Sequence, residues 1–168
     1  VNAGAISGFV VDQITDPIAS GQVSNVRVKA VDAFGNTITN YTSQISFSSS
    51  DTAPTVVLPA PYTFVLGDSG IHTFTNGVTL RTVGEQWVRA IQVGNPAIAG
   101  QQNNITVTAG AVDHLRVDQI NNPATAGIAS NVRVSAMDIS NNIVTGYTGT
   151  IQFTSTDAQA LLPASYTF

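Results

Sequence analysis

SNVRVKAVDAFGN runs from Ser24 to Asn36, and SNVRVSAMDISNN runs from Ser130 to Asn142. In the first copy Val26, Val28 and Ala30 alternate with Arg27 and Lys29, a period of two that places apolar groups on one face and charges on the other. That is the pattern of a half-buried antiparallel strand. The second copy keeps the alternation in Val132, Val134 and Ala136. Around it the likeness extends at one constant offset, 117 − 11 = 106 residues. Val11-Asp12-Gln13-Ile14 returns as Val117-Asp118-Gln119-Ile120, and Tyr41-Thr42, Ile45, Phe47 and Asp51 return as Tyr147-Thr148, Ile151, Phe153 and Asp157. Past Asp51 the second copy is shorter, so that Tyr62-Thr63-Phe64 matches Tyr166-Thr167-Phe168. A unit of roughly 105 residues is too long for a solenoid repeat and suits one β-sandwich. The chain therefore reads as a tandem array.

The remaining strands follow from the same period. Ile45 and Phe47 alternate with polar neighbours. Further strands are expected at Tyr62/Phe64, at Ile71–Thr75 and Val78–Arg81 joined by an Asn76-Gly77 hairpin, at 86–93 and at 104–108. Phe34-Gly35-Asn36 supplies a turn. No segment carries a helical stripe with caps. The fold expected is all-β, with antiparallel immunoglobulin-like sandwich domains in tandem. The expected core is Phe9, Val11, Val26, Val28, Ala30, Ile45, Phe47, Val88, Ala90, Ile105 and Val107. In the second copy it is Leu115, Val117, Val132, Val134, Ala136, Ile151 and Phe153. Residues 1–5 read as the tail of a preceding repeat, because Val1 and Ala3-Gly4-Ala5 match Val107 and Ala109-Gly110-Ala111. Residues 6–110 form repeat 1, and 111–168 the first half of repeat 2. Half a sandwich is expected to be poorly ordered or to aggregate unless further sequence or a neighbour's strand completes it.

Val28-x-Ala30-x-Asp32-x-x-Gly35-Asn36, then Tyr41-Thr42 and an alternating strand ending in Ser50-Asp51, resembles the bacterial immunoglobulin-like repeats of invasin- and intimin-type adhesins and other large secreted proteins. Asp68-x-Gly70-x-His72-x-Phe74 and Thr82-Val83-Gly84-x-Gln86-x-Val88-x-Ala90 continue the likeness, which covers repeat 1 and all that is present of repeat 2. At the turn, Ser140-Asn141-Asn142 replaces Phe34-Gly35-Asn36, and Asn also adopts the left-handed conformation. The resemblance implies a rigid spacer on the bacterial surface, in contact with neighbouring repeats of its own chain.

Composition narrows the alternatives. Charged residues make up 10% of the chain and the net charge is -4, so no basic cluster exists to meet nucleic acid or an acidic membrane. No long apolar span reads as a membrane segment. Cysteine is absent, which removes disulfides and thiolate metal sites and, with the Thr/Asn-rich polar surface, suits an exported bacterial protein. His72 and His114 do not recur between copies, Glu85 is the single Glu, and no Gly-x-Ser-x-Gly elbow is present. No catalytic or cofactor site is expected.

Two candidate sites stand against simpler structural readings. The recurring acids Asp12 and Asp118, with Asp113 at the domain junction, are candidate Ca²⁺ ligands, although no Asp-x-Asp-x-Asp-Gly loop occurs. The simpler reading, for Asp32 and Asp51, is acceptance of backbone N–H groups at strand-ending turns. Trp87 and Arg89 fall on the outward face of their strand and form a candidate contact for a glycan or a protein. Packing of Trp87 against a neighbouring strand is the plainer alternative. The leading expectation is a structural stalk. A carbohydrate- or partner-binding module using Trp87, and a subunit of an extracellular filament or surface layer made of identical subunits that exchange strands, are the alternatives.

Overall fold

A computed structural model describes residues 3–168. Val1, the first residue of the 1–5 tail, and Asn2 lie outside the described residues. The chain separates between Gly110 and Ala111 into two compact units. The first holds β1 (Ile6–Asp12), β2 (Ile18–Ala19), β3 (Val23–Asp32), β4 (Gln44–Ser49), β5 (Tyr62–Thr63), a 3-10 turn at Leu66–Asp68, β6 (Ile71–Thr79), β7 (Gly84–Gln92) and β8 (Asn95–Thr108). The second holds β9 (Val112–Asp118), β10 (Arg133–Asp138), β11 (Thr150–Ile151) and β12 (Tyr166–Thr167). The described residues contain no α-helix.

In the first unit a three-stranded sheet, β1-β3-β6, faces a five-stranded sheet, β2-β8-β7-β4-β5. Alternate residues of both sheets fill the space between them. Val26, Val28, Ala30, Ile45, Val78, Leu80, Val88, Ala90 and Ile105 are fully buried. Tyr41 closes one end of this core, edge-on to Phe9 and Phe64 at 5.6 and 5.1 Å, with its hydroxyl donating to Gln92 Oε1 at 3.1 Å. Phe47 is half-buried rather than fully enclosed and meets Phe74 edge-on at 5.0 Å.

Among the described residues all ladders are antiparallel except one. After β1, Gln13 takes a left-handed conformation (φ 69°) and carries the chain from the first sheet to the second. There the segment from Ile14 to Ser20 runs parallel to β8. Ile14 N–H donates to Gln102 Oε1 at 3.0 Å and Gln102 Nε2 donates to the Ile14 carbonyl at 2.8 Å. Thr106 N–H donates to Asp16 Oδ1 at 2.9 Å. Ile18 and Ala19 pair with Val107 and Thr108, and Ser20 N–H reaches the Thr108 carbonyl at 2.8 Å.

Two expectations are corrected here. Asn76-Gly77 is not a hairpin, because β6 runs through it without turning. Asn76 is left-handed (φ 52°) and forms a bulge opposite Asn25, where the β3–β6 register shifts and Asn76 N–H donates to Asn25 Oδ1 at 2.8 Å. A left-handed residue serves a bulge as readily as a two-residue turn. The hairpin stands instead at Val93-Gly94, with Gly94 at φ 83° and Gln92 opposite Asn95. Consequently β8 begins at Asn95 rather than 104.

The second unit repeats the first part of this plan. β9 pairs with β10 as β1 pairs with β3, and β11 with β12 as β4 with β5. Ala136 and Ile151 are buried, whereas Leu115 and Val117, expected in the core, are 40% and 53% exposed. Their counterparts Phe9 and Val11 are covered by strands of the opposite sheet that have no equivalent in the second unit. An open cleft of about 650 Å³ results, lined by Val132, Val134, Ile151, Phe153, Tyr166 and Phe168 among others.

Candidate functional site

Two of the three carboxylates considered as calcium ligands, Asp12 and Asp118, are engaged by arginines. Asp12 lies opposite Arg27 in the β1–β3 register and takes a two-pronged contact from Nε and Nη2 at 2.8 and 2.7 Å. Asp118 receives the same contact from Arg133 at 2.7 and 3.0 Å, with Arg116 Nε at 3.2 Å. The hydrogen bonds and charge of Arg133, with Arg116 behind it, hold the Asp118 carboxyl below its ordinary range. Asp113 meets its neighbour His114 at 2.9 Å. Among the described residues no three Asp, Glu or His side chains converge to hold a metal ion. Arg27 and Arg133 are not part of the calcium reading of Asp12 and Asp118. The signal was present in the shared offset of Asp12/Arg27 and Asp118/Arg133, because directly opposite charges are a unit of sheet stabilisation.

The other recurring acids organise turns. Asp32 accepts the backbone N–H groups of Gly4, Phe34 and Asn36 and the Asn36 side-chain amide. Asp138 repeats this with the N–H groups of Ser140 and Asn142. The Gly4 N–H, the Asn36 amide and the remaining N–H groups lower the Asp32 carboxyl to about 2. Burial alone would raise Asp51, but N–H groups of Arg81, Thr82 and Ala53 and the Thr82 hydroxyl outweigh it and leave the carboxyl lowered. A carboxyl lowered by folding contributes stability above its unfolded value, near 3.9, and loses it as pH falls through the folded value. The melting temperature of the chain is therefore expected to stay level from pH 7 to about 5 and to fall between about 4 and 2. A melting temperature unchanged at pH 2 in a calorimetric pH series would contradict this assignment.

His72, which the sequence offers no reason to read as catalytic, joins a different cluster. Its Nδ1 lies 2.9 Å from Asp68 Oδ1, the Tyr62 hydroxyl donates to Asp68 Oδ2 at 3.0 Å, and Val65 N–H donates to the same oxygen at 2.8 Å. The Tyr62 ring stacks on the imidazole at 4.0 Å. His72, the Tyr62 hydroxyl and the Asp68 carboxylate thus form one hydrogen-bonded and stacked group. The cluster ties the 3-10 turn to β5 and β6.

Trp87 and Arg89 do share one face. On β7 the inward positions Gln86, Val88 and Ala90 are buried, while Trp87 and Arg89 are half-buried on the outer side. The Trp87 backbone is held firmly. Its carbonyl accepts from Ser49 Oγ at 2.8 Å and Ser50 N–H at 3.2 Å, and its N–H donates to Ser50 Oγ at 2.9 Å. On the other side the β7–β8 register shifts between Gln86 and Val88, so that Asn103 and Asn104 together oppose Trp87. Asn104 is left-handed (φ 55°), and both asparagines are exposed. Sequence reasoning found the Trp but missed this bulge, whose only trace is the Asn-Asn pair.

Comparison with known proteins follows the fold. No protein-family model matches the chain, and no curated protein does. Among solved structures the chain is similar to FdeC, an Escherichia coli adhesin, with a TM-score of 0.52 and 26% identity over 94% of this chain and 51% of that one. It thus spans about half the length of that adhesin chain. It is also similar to the surface-layer protein SbsC. Against domains 4-9 the TM-score is 0.40 at 21% identity, covering 90% of this chain and 23% of that one. Against domains 5-6 it is 0.39 at 21%, covering 90% and 73%. No helix among the described residues is long and apolar enough to cross a membrane.

Proposed function

We propose that the chain is a non-catalytic structural stalk made of tandem β-sandwich repeats, exposed on the bacterial surface as part of a larger adhesin-type protein. The likeness to the FdeC adhesin supports the surface setting. The observation that carries the mechanical role is the parallel run of residues 14–20 along β8. Tension on the two ends of the first unit pulls these parallel neighbours in opposite directions along their common axis. The bonds at Ile14, Asp16, Ile18 and Ser20 are then loaded together rather than one after another. Such an arrangement keeps a distal part at a fixed distance under pull.

A second reading, a self-assembling subunit completed by strand exchange, is favoured by the open cleft of the second unit, whose partly apolar lining a strand from an identical chain could cover. Light scattering separates the two. The stalk reading predicts a monomer at the chain mass of 17.4 kDa. Defined oligomers or filaments would favour assembly.

A further inference from the structure

We propose that the outer face of β7 and its neighbours is a binding platform for a neutral polysaccharide, centred on Trp87. This proposal is independent of the stalk reading. It starts from two side chains whose chemistry is unused. The Trp87 indole makes no ring contact and its N–H no hydrogen bond among the described residues, although the ring is half-buried. Arg89, two residues on, likewise has neither a carboxylate nor a hydrogen-bond acceptor. No unpartnered side-chain nitrogen is buried among the described residues, so the indole N–H stands open to solvent, and a guanidinium carries five donors in a fixed fork; both are free to donate to a ligand.

The surroundings fit sugar. Along the same face of β7 stand Glu85, Trp87 and Arg89, about 13 Å from end to end, so an acceptor and a donor flank the ring. The bulge on β8 sets Asn103 and Asn104 beside it, and Gln101 Nε2 donates to Asn103 Oδ1, which fixes that amide's orientation. On the other flank Ser48 lies opposite Arg89. A pyranose ring offers C–H groups to the indole and hydroxyls, both donor and acceptor, to the amides and charges around it. Because the Trp87 backbone is locked by three hydrogen bonds, binding costs little ordering of the platform.

Charge selects the class. Glu85 and Arg89 cancel across the face, and the chain carries a net charge of -4. An acidic polysaccharide would meet Glu85 and the overall field, while a neutral one meets no penalty. A protein partner is a poorer fit. None of β4, β7 and the 99–108 part of β8 contributes an exposed large apolar side chain, and hot spots in protein interfaces rely on a surrounding ring that excludes water.

The test is affinity electrophoresis of the full chain in gels holding hydroxyethylcellulose or mannan, with polygalacturonate as the acidic comparison. Retardation in a neutral gel is expected, persisting in about 0.5 M NaCl because no net charge is neutralised. Trp87→Ala should weaken it about tenfold or more, and Asn103→Ala about threefold. If Trp87→Ala fails to fold, as its melting curve would show, Arg89→Gln and Asn103→Ala carry the test. Absence of retardation in both neutral gels, retardation confined to polygalacturonate, or retardation unchanged in folded Trp87→Ala would each overturn the proposal.

Discussion

Replacing Gly100 with Ala is expected to lower the melting temperature of the first unit by about 15 °C, or to leave it insoluble. Gly100 lies on β8 opposite Ala90, and a Cβ built there would meet the Phe9 carbonyl oxygen at 1.8 Å and its carbon at 2.5 Å. The neighbouring crossing is also close, though less so, since a Cβ on Gly8 would meet the Ala99 carbonyl oxygen at 2.8 Å. β1 and β8 belong to different sheets, so these two glycines let the sandwich close backbone to backbone along that side. No flexible side chain can yield, and the strands must part. Overpacking of a closed core costs about 3 kcal/mol, occasionally more. In a domain of this size each kcal/mol moves the midpoint by about 4–8 °C. Gly146→Ala is the control, because a Cβ there meets nothing within 4 Å. Equal melting temperatures for the two variants would contradict the close crossing.

Asp51→Ala should cost at least as much, about 3–5 kcal/mol, while the same change at its repeat counterpart Asp157 should cost less than about 0.5. Asp51 is 5% exposed, and its carboxylate takes the N–H groups of Arg81 and Thr82, the Thr82 hydroxyl at 2.7 Å and Ala53 N–H at 3.1 Å. It thereby joins the end of β4 to the segment between β6 and β7, and removing it strands several part-buried donors at once. Asp157 is exposed and holds only its own turn, through Gln159 N–H at 2.9 Å. Denaturant unfolding of both variants decides the matter. A shared sequence position with such unequal costs would show that the partner strands, not the motif, set its worth.

That contrast also explains what was legible in the sequence. Alternation between Val26 and Ala30, seen twice, carried the all-β fold and most of the inner faces, because period and repeat are local patterns. Asn76 was misread because a left-handed conformation is a property of one residue. Whether it turns a chain or bulges a strand depends on Asn25, which lies 51 positions away. The repeated Val-Asp-Gln-Ile was visible, yet its cause was not. Gln13 and Gln119 are both left-handed, at φ 69° and 67°, which no glycine announced. Tyr41 entered the core from outside any strand, Phe64 from just past the two-residue β5, and Val78 and Leu80 from beyond the Asn76 bulge, which breaks the alternation begun at Ile71. At the candidate site, alternation placed Trp87 and Arg89 on one face. Ser49, Ser50 and the Asn103-Asn104 bulge, which shape that face, come from neighbouring strands and need the register.

The mechanical claim can be tested directly by single-molecule pulling, and the cysteine-free chain makes attachment points easy to place. One chain would be held through its two ends. A second would be held through Glu85→Cys and Thr106→Cys, which face each other across the β7–β8 ladder. The first geometry shears the parallel run of residues 14–20 on β8, and the second opens a hairpin bond by bond. A clearly higher unfolding force is expected for the first geometry, with a single release approaching about 350 Å, from roughly 100 residues at about 3.5 Å each, less the length of the folded unit. An end-to-end force no higher than that across Glu85 and Thr106 would contradict it.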